Sequence, residues 1–357
     1  MTHQIEESTR VLHVVDRTTG GVPVAVRAYI ANSPAGFEHH ILSPLGGDGL
    51  AASVWTGTDA HHHDLGQGAV RRIRAVRRAV RAVSPGVVHA HSSFGGAYAR
   101  LAFLRRRVVV VHTPHCYSFN RTDTRTSVRR LYRAAEWALG WRTDVVAACS
   151  ASEAQLASAM RSIRGRVLVL PNVASLAAPP TEPSTPIDRP LRVGMLGRVS
   201  RQKDPEEFLR IVGRLRAAGV DVDPMWIGDS ETGSSKALSS GGVSMTGWIT
   251  GQDLVDALSS LDVYIHSAAW EGFPIAVLDA HQLGLPILVR PITAFGRLDP
   301  RQTTSADGLT ALADAVSSEP EFTAWRAGNR ATWSEYLRSN TPAEQQRALS
   351  LAWSRTR

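Results

Sequence analysis

The chain has 357 residues, 43% of them apolar and 20% charged, an ordinary globular composition long enough for two domains. No run of about 18 apolar residues is present, which excludes a membrane-spanning helix, and the acidic, polar start MTHQIEESTR does not read as a secretory signal. Residues 1–178 hold 22 Arg, no Lys and 11 acids, a formal +11, against a formal −3 for residues 179–357.

The basic first half points to an anionic partner. Nucleic acid is not that partner, because few aromatics stand among the arginines and no recognised binding motif occurs. The two cysteines, Cys116 and Cys149, have neither redox nor metal-type spacing, which fits a reducing cytoplasm.

In chain order, Val11 to Val15 reads as a buried strand. DRTTGGVP and an apolar helix through Ile30 follow, the opening of a nucleotide-binding α/β unit. Gly20 and Gly21 make either a tight turn or a ligand contact. They do not form the dinucleotide fingerprint, and no G-x-G-x-x-G follows the first strand of either half, which disfavours a nicotinamide-dependent dehydrogenase. His39 to Ser43 is a second strand. His61-His62-His63-Asp64 reads as a polar loop, since neighbouring positions on one short segment do not converge on one metal ion.

Gly68 to Val83 places six arginines around an apolar stripe, an amphipathic basic helix. Its apolar side fits a crossover helix packed on a sheet, and its Arg face an anionic lipid surface. SPGVVHAHSS is the next parallel strand, and Val108 to Val111 the one after, ending in HTPHCYSF. Ligands of doubly wound sheets bind beyond the carboxyl ends of strands, so His112 and His115 stand where chemistry occurs. A structural role is the alternative for both. Strand 144–148, helix 151–161 and strand 167–170 complete a first domain, residues 1–178. Prolines 179, 180, 183, 186 and 190 then mark a linker at 179–190.

The second domain, 191–340, opens with strand Leu191 to Leu196 and the loop GRVSRQKDP before a helix from Pro205. Arg198 and Lys203, one of only two lysines in the chain, can neutralise a diphosphate beside a helix N-terminus. Strands end at Gly228-Asp229 and before Gly247-Trp248. WEGFPIAVLDA then follows the strand Val263 to Ile265. Glu271 falls in the strand-to-helix turn, Gly272 permits close backbone approach, and Pro274 occupies a first-turn position. A carboxylate at an anion-binding helix start makes sense for a ligand with both phosphate and hydroxyl groups. The alternative is an acid that merely stabilises its helix.

The ordered series GRVSRQKDP, IGD, GW and DVYIHSAAWEGFPIAVLDA resembles the donor half of family 4 glycosyltransferases. DRTTGGVP resembles the family's early Gly-Gly loop. HTPHCYSF through CSASEAQL to LPNV resembles acceptor-side segments of bacterial members that build cell-surface polysaccharides. The resemblance implies an α/β GT-B architecture, two Rossmann-like domains facing each other across a cleft, with a final helix at about 341–357 crossing back onto the first domain. It implies a retaining transfer from a UDP- or GDP-linked sugar, without a metal, to a glycan or lipid-diphosphate acceptor at the inner face of the cell membrane.

The resemblance also implies the roles of single residues. Arg198 and Lys203 bind the donor diphosphate and Glu271 contacts the transferred sugar. The backbone at Gly272, Phe273, Pro274 and Ile275 cradles the phosphates, and Asp279 holds the ribose. Gly20, Gly21, Gly197, Gly228 and Trp248 complete the donor site, and His115, with His112, orients the sugar or acceptor. Two features depart from the family pattern: Asp279 stands where Glu is usual, and the segment after Val289 lacks the usual Gly-rich loop. These departures leave a non-catalytic, transferase-like binding subunit as the alternative.

Overall fold

The computed structural model describes residues 8–45, 53–102, 108–176, 189–230 and 235–354. The chain divides into two compact units, Met1–Val173 with Asn340–Arg357 and Ala174–Ser339. The proline-rich linker expected at 179–190 lies outside the described residues apart from Arg189 and Pro190.

The first unit is built on a parallel sheet of β1 (Thr9–Val15), β2 (Phe37–Ser43), β3 (His61–Asp64), β4 (Val87–His91), β5 (Val109–Thr113), β6 (Val145–Ala148) and β7 (Arg166–Val169). The spatial order is β3-β2-β1-β4-β5-β6-β7. Side chains alternate along a strand, so Leu12, Val14, Leu42, Val88 and Ala90 share one face. They pack on Ala75, Val76 and Ala79 of α2 (Ala69–Val83) and on Ala99 of α3 (Ser92–Leu101). The same packing leaves Arg71, Arg74, Arg78 and Arg81 of α2 exposed, as the amphipathic pattern predicts.

The opposite face carries Val15 and Ile41 against Val26 and Ile30 of α1 (Gly21–Ala31), and beside them His13, His39, His89 and His91. Helices α4 (Thr126–Gly140) and α5 (Ala151–Ser158) complete the wrapping.

The segment His61–Asp64 is a strand, not the polar loop expected from its residues. It forms the sheet edge on β2, where backbone pairing alone defines a strand and no apolar side chain is needed. His61 stacks on His40 with ring centroids 4.9 Å apart, and His63 Nε2 lies 3.1 Å from His40 Nδ1.

The second unit contains β8 (Leu191–Leu196), α6 (Pro205–Ala217), β9 (Val222–Ile227), α7 (Ser235–Ser240), β10 (Ser244–Met245), α8 (Gln252–Ser259), β11 (Val263–His266), α9 (Ile275–Gln282), β12 (Ile287–Val289), α10 (Ala306–Ala315) and α11 (Glu319–Tyr336). Its sheet is also parallel, in the order β10-β9-β8-β11-β12. Val193, Met195, Phe208, Ile211, Trp226 and Ile265 form its core with Leu312 and Phe322. Strand order reverses between β8 and β11 here, and between β1 and β4 in the first unit. At such a reversal, adjacent connections leave for opposite faces and open a crevice at the strand ends.

The chain then returns to the first unit as α12 (Pro342–Trp353). Thr341 caps this helix by accepting from Glu344 N at 3.2 Å, and Pro342 suits its first turn. Buried Gln345 ties it to Pro171 O at 2.8 Å and to Asn32 Nδ2 at 2.7 Å. Trp353, 2% exposed, closes over the histidine face and donates from Nε1 to His89 Nδ1 at 3.2 Å. Trp353→Ala is expected to cost about 3–5 kcal/mol, visible as a lower urea midpoint for the first unit.

Candidate active site

Two loops converge at the reversal point of the second sheet. β8 leaves through Gly197, whose φ of 151° lies outside the range comfortable for other residues, and β9 ends at Gly228 with φ 143°. A Cβ on Gly228 would stand 2.3 Å from Gly197 O, and one on Gly197 would stand 2.9 Å from Lys203 Cε. Gly228 is therefore demanded by close approach to backbone as well as by dihedral angle, and Gly197 by its dihedral angle, since the Lys203 side chain can move aside. Trp226 Nε1 donates to Gly197 O at 2.6 Å, fixing that carbonyl.

Bonds that involve backbone atoms fasten the loop from Arg198 to Asp204 to the β11–α9 loop. Ser267 Oγ donates to Lys203 O at 2.7 Å, Ala269 N to Gln202 O at 2.8 Å, and Gln202 Nε2 to Trp270 O at 3.1 Å. Asp204, itself left-handed at φ 53°, caps α6 through Glu207 N and pairs with Arg290 at 2.6 Å.

This bracing sets the electrostatics of Glu271. Its side chain is 11% exposed, and Lys203 Nζ donates to Oε1 at 2.6 Å. Gln202 Nε2 donates to Oε2 at 3.3 Å, and His266 Nε2 lies 3.6 Å from Oε1. Burial by itself raises a carboxyl pKa, but the Lys203 ammonium and then His266 outweigh it and hold Glu271 at about 2. The group is an anion at neutral pH, with a cation in contact.

Neither Gln202 nor His266 stands out in the sequence. The readable signals were the place of His266 at the end of β11 and of Gln202 beside the rare Lys203. His266 is wholly buried and takes its other contact from Tyr264 OH, 3.1 Å from Nδ1.

The turn after Glu271 runs through buried Gly272 and Phe273 into α9. Pro274 is the residue capping that helix, with its carbonyl accepting from Val277 N at 3.2 Å, rather than a residue of the first turn. Ile275 and Ala276 are then the first two helical residues, half-buried, and helix geometry gives their N–H groups no intrahelical acceptor. Phe273 lies 6.0 Å, centroid to centroid, from Phe295. Phe295 belongs to the 290–308 segment, which contains two short 3-10 turns, Thr293–Phe295 and Pro300–Gln302, before it enters α10.

Asp279 is 3% exposed and already engaged. Its Oδ1 accepts from Ser175 N at 2.6 Å and Leu176 N at 3.1 Å, and Ser175 Oγ lies 2.9 Å from Oδ2. Burial dominates these bonds and lifts its pKa to about 6. Arg198 is half-buried on the same loop as Lys203, and Trp248 is exposed beyond β10.

In the first unit, Gly20 precedes α1 with φ 82°, and among the described residues beyond their chain neighbours and the helix's own backbone no atom lies within 4 Å of a Cβ built on Gly20 or Gly21. His112 is 1% exposed, with Nε2 donating to Ser92 O at 3.2 Å, which makes it part of the core. His115 is half-buried and left-handed at φ 50°.

A pair of doubly wound parallel α/β units, with strand-end loops carrying acids, cations and glycines, defines the GT-B class. The family model described as glycosyl transferase 4-like domain matches residues 11–173, and the glycosyl transferases group 1 model matches residues 190–318. The chain belongs to this glycosyltransferase family, of the family 4 type.

It is 25% identical over 240 residues, 63% of this chain and 64% of the relative, to an uncharacterized 41.2 kDa protein in the cps region of Klebsiella pneumoniae. It is 26% identical over 226 residues, 58% of each chain, to the Escherichia coli UDP-Gal:alpha-D-GlcNAc-diphosphoundecaprenol alpha-1,3-galactosyltransferase. Both matches span less than two thirds of the relative. Among solved structures, Anabaena HepE in complex with UDP and glucose has a TM-score of 0.72 at 14% identity, covering 96% of this chain and 99% of that one.

Glu271 gives a signed prediction. Its depressed pKa contributes stability that is present above the ordinary value of 4.5 and lost as pH falls through about 2. In Lys203→Ala the burial is less opposed, so the Glu271 titration followed by carbon NMR should move up and acid unfolding should begin at higher pH.

Proposed function

We propose that the protein is a retaining hexosyltransferase that moves a sugar from a UDP-linked donor onto a glycan carried on a lipid diphosphate, in the making of a cell-surface polysaccharide. The observation that carries this reading is the part-buried Lys203–Glu271 pair at the reversal point of the second sheet, beside the start of α9. The donor and acceptor named for the Escherichia coli relative, and UDP with glucose in the HepE complex, support the substrate class.

In this mechanism the bond between the sugar's anomeric carbon and the diphosphate breaks, and negative charge gathers on the leaving group. Arg198, Lys203 and the first N–H groups of α9 meet that charge as it grows. The anomeric carbon becomes positive as the bond opens, and the Glu271 carboxylate, anionic near neutral pH, stabilises it. The acceptor oxygen bonds to that carbon on the face the diphosphate leaves, which retains configuration, and its proton passes to the departing diphosphate. Asp279, held by Ser175 and Leu176, acts on the ribose through a carboxylate that already orders the 174–176 segment.

Purified protein with UDP-hexoses and a polyprenyl-diphosphate-linked acceptor should release UDP and form a glycosylated lipid. Glu271→Gln should lower kcat roughly 10²–10³-fold with a smaller effect on UDP binding. UDP binding with no turnover, and no effect of Glu271→Gln, would favour the non-catalytic binding subunit instead.

A lipid-linked acceptor requires contact with a membrane surface, at the inner face if the protein works in the cytoplasm. No described helix is long and apolar enough to cross a membrane. The surface best suited to lying on one is α4, more than the Arg face of α2. It exposes Leu131, Trp137 and neighbouring Trp141 at 65%, 59% and 58%, with Arg125, Arg129, Arg130 and Arg133 along the same segment. Arg142 lies over the Trp141 ring at 4.4 Å. Aromatic rings and guanidinium groups together suit an anionic headgroup layer. Binding to vesicles containing anionic lipid should fall on raising salt and in Trp137→Ser; equal binding to neutral vesicles would sink this part.

A further inference from the structure

Four histidines of the first unit form one hydrogen-bonded row. His39 Nδ1 lies 3.2 Å from His13 Nε2, His13 Nδ1 3.1 Å from His91 Nε2, and His91 Nδ1 3.2 Å from His115 Nε2. Each contact joins the Nδ1 of one ring to the Nε2 of the next, in the same direction throughout. The strand register explains the convergence. His13 in β1 and His91 in β4 lie on the sheet face that also holds His39 of β2, under Tyr29 and Trp353. Left-handed backbone at both His115 and Cys116 shapes the turn that brings the fourth ring to the end of the row.

The protonation pattern of the row follows from counting hydrogens. Burial lowers the pKa of all four rings, to about 4 for His39 and about 3 for His115, and His13 and His91 well below the ordinary value. Each ring is therefore neutral near pH 7 and carries one N–H. With one hydrogen per ring and one per contact, only two arrangements satisfy the three bonds: every ring protonated on Nδ1, or every ring on Nε2.

The far end of the row decides between them. His39 is 6% exposed, and its Nε2 has no hydrogen-bond partner among the described residues. The second arrangement would bury an N–H there without an acceptor, whereas the first leaves only a lone pair, and buried orphan N–H groups are the rarer kind.

We propose that His39, His13 and His91 are positioning residues whose three hydrogen bonds hold His115 in the tautomer with its proton on Nδ1, so that His115 meets a bound sugar or acceptor oxygen as a donor. This rests on the reading of His115 as part of the transferase site. Proton removal from the acceptor is then left to the departing diphosphate, because His115 Nε2 is occupied by His91 and Nδ1 already bears hydrogen. His89 stands outside the row: it accepts at Nδ1 from Trp353 and gives its Nε2 hydrogen to Thr113 Oγ1 at 2.8 Å.

Two-bond proton–nitrogen spectra of the full chain, labelled at histidine, read the tautomer of each ring without reference to turnover. Nδ1–H on His115 and on the three rings behind it is the expected result; Nε2–H on His115 overturns the proposal. His91→Leu removes the donor that faces His115 Nε2, so His115 should populate both tautomers and kcat should fall about fivefold to tenfold, with donor KM changed by about twofold or less. His91→Asn can return an N–H donor to His115 Nε2 and should restore both. An unchanged His115 tautomer in His91→Leu overturns the proposal, and should that variant not fold, the parent chain and His91→Asn still decide.

His13, His89 and His91 also offer nitrogen atoms within 4.8 Å of one another. Stoichiometric zinc that survives dialysis and shifts these three rings would therefore overturn the row in favour of a metal site. Spectra as expected, with no transfer from any nucleotide-sugar, would instead keep the row and remove the transferase reading.

Discussion

A carboxylate taken out of water must be compensated, and the second unit is arranged to do this at Glu271. The compensating groups come from the ends of adjacent parallel strands and the loops that follow them: Lys203 and Gln202 after β8, His266 at the end of β11 and the acid itself in the loop beyond. Contact at 2.6 Å requires those loops to be held together, and the bonds from Ser267 to Lys203 O and from Ala269 to Gln202 O hold them. The loops in turn need the ends of β8 and β9 to pass closely, which only glycine at 228 allows, and Gly197 supplies the backbone angle at which β8 leaves. Charge, backbone conformation and packing are thus one requirement met in three ways. Its chemical result is an anion at neutral pH with a cation at contact distance, beside a helix start.

The first unit solves a related problem without charge. Its sheet face buries imidazoles where a doubly covered parallel sheet ordinarily buries aliphatic groups. Burial keeps the rings neutral, and neutral rings satisfy one another in a directed row, with α12 returning Trp353 to cover them. Ionic pairing in one unit and tautomer matching in the other are alternative answers to the same cost of hiding polar atoms.

Much of the architecture was legible because parallel strands covered on both faces read as apolar runs, and because Gly, Pro and capping residues mark where each run turns. The edge strand at His61–Asp64 escaped because backbone pairing, which leaves no trace in side-chain type, defines it. Pro274 read as a helical residue when it is the cap, a shift of one position that propensity does not resolve. The ribose role of Asp279 came from the family resemblance, and its bonds to the 174–176 segment, which join parts of the chain far apart in sequence, leave no trace in residue order.

Residue order by itself determined the α/β class, the two-unit plan and the identity of the strand-end loops, because these follow from local hydrophobic period and turn chemistry. It also supplied the ordered motifs by which the family is identified. Only the tertiary structure decided which charges meet. Lys203 and Glu271 stand far apart in the chain, and the four histidines of the row lie on three strands and a loop. Such pairings depend on strand order and register, and those are set by the packing of the whole sheet.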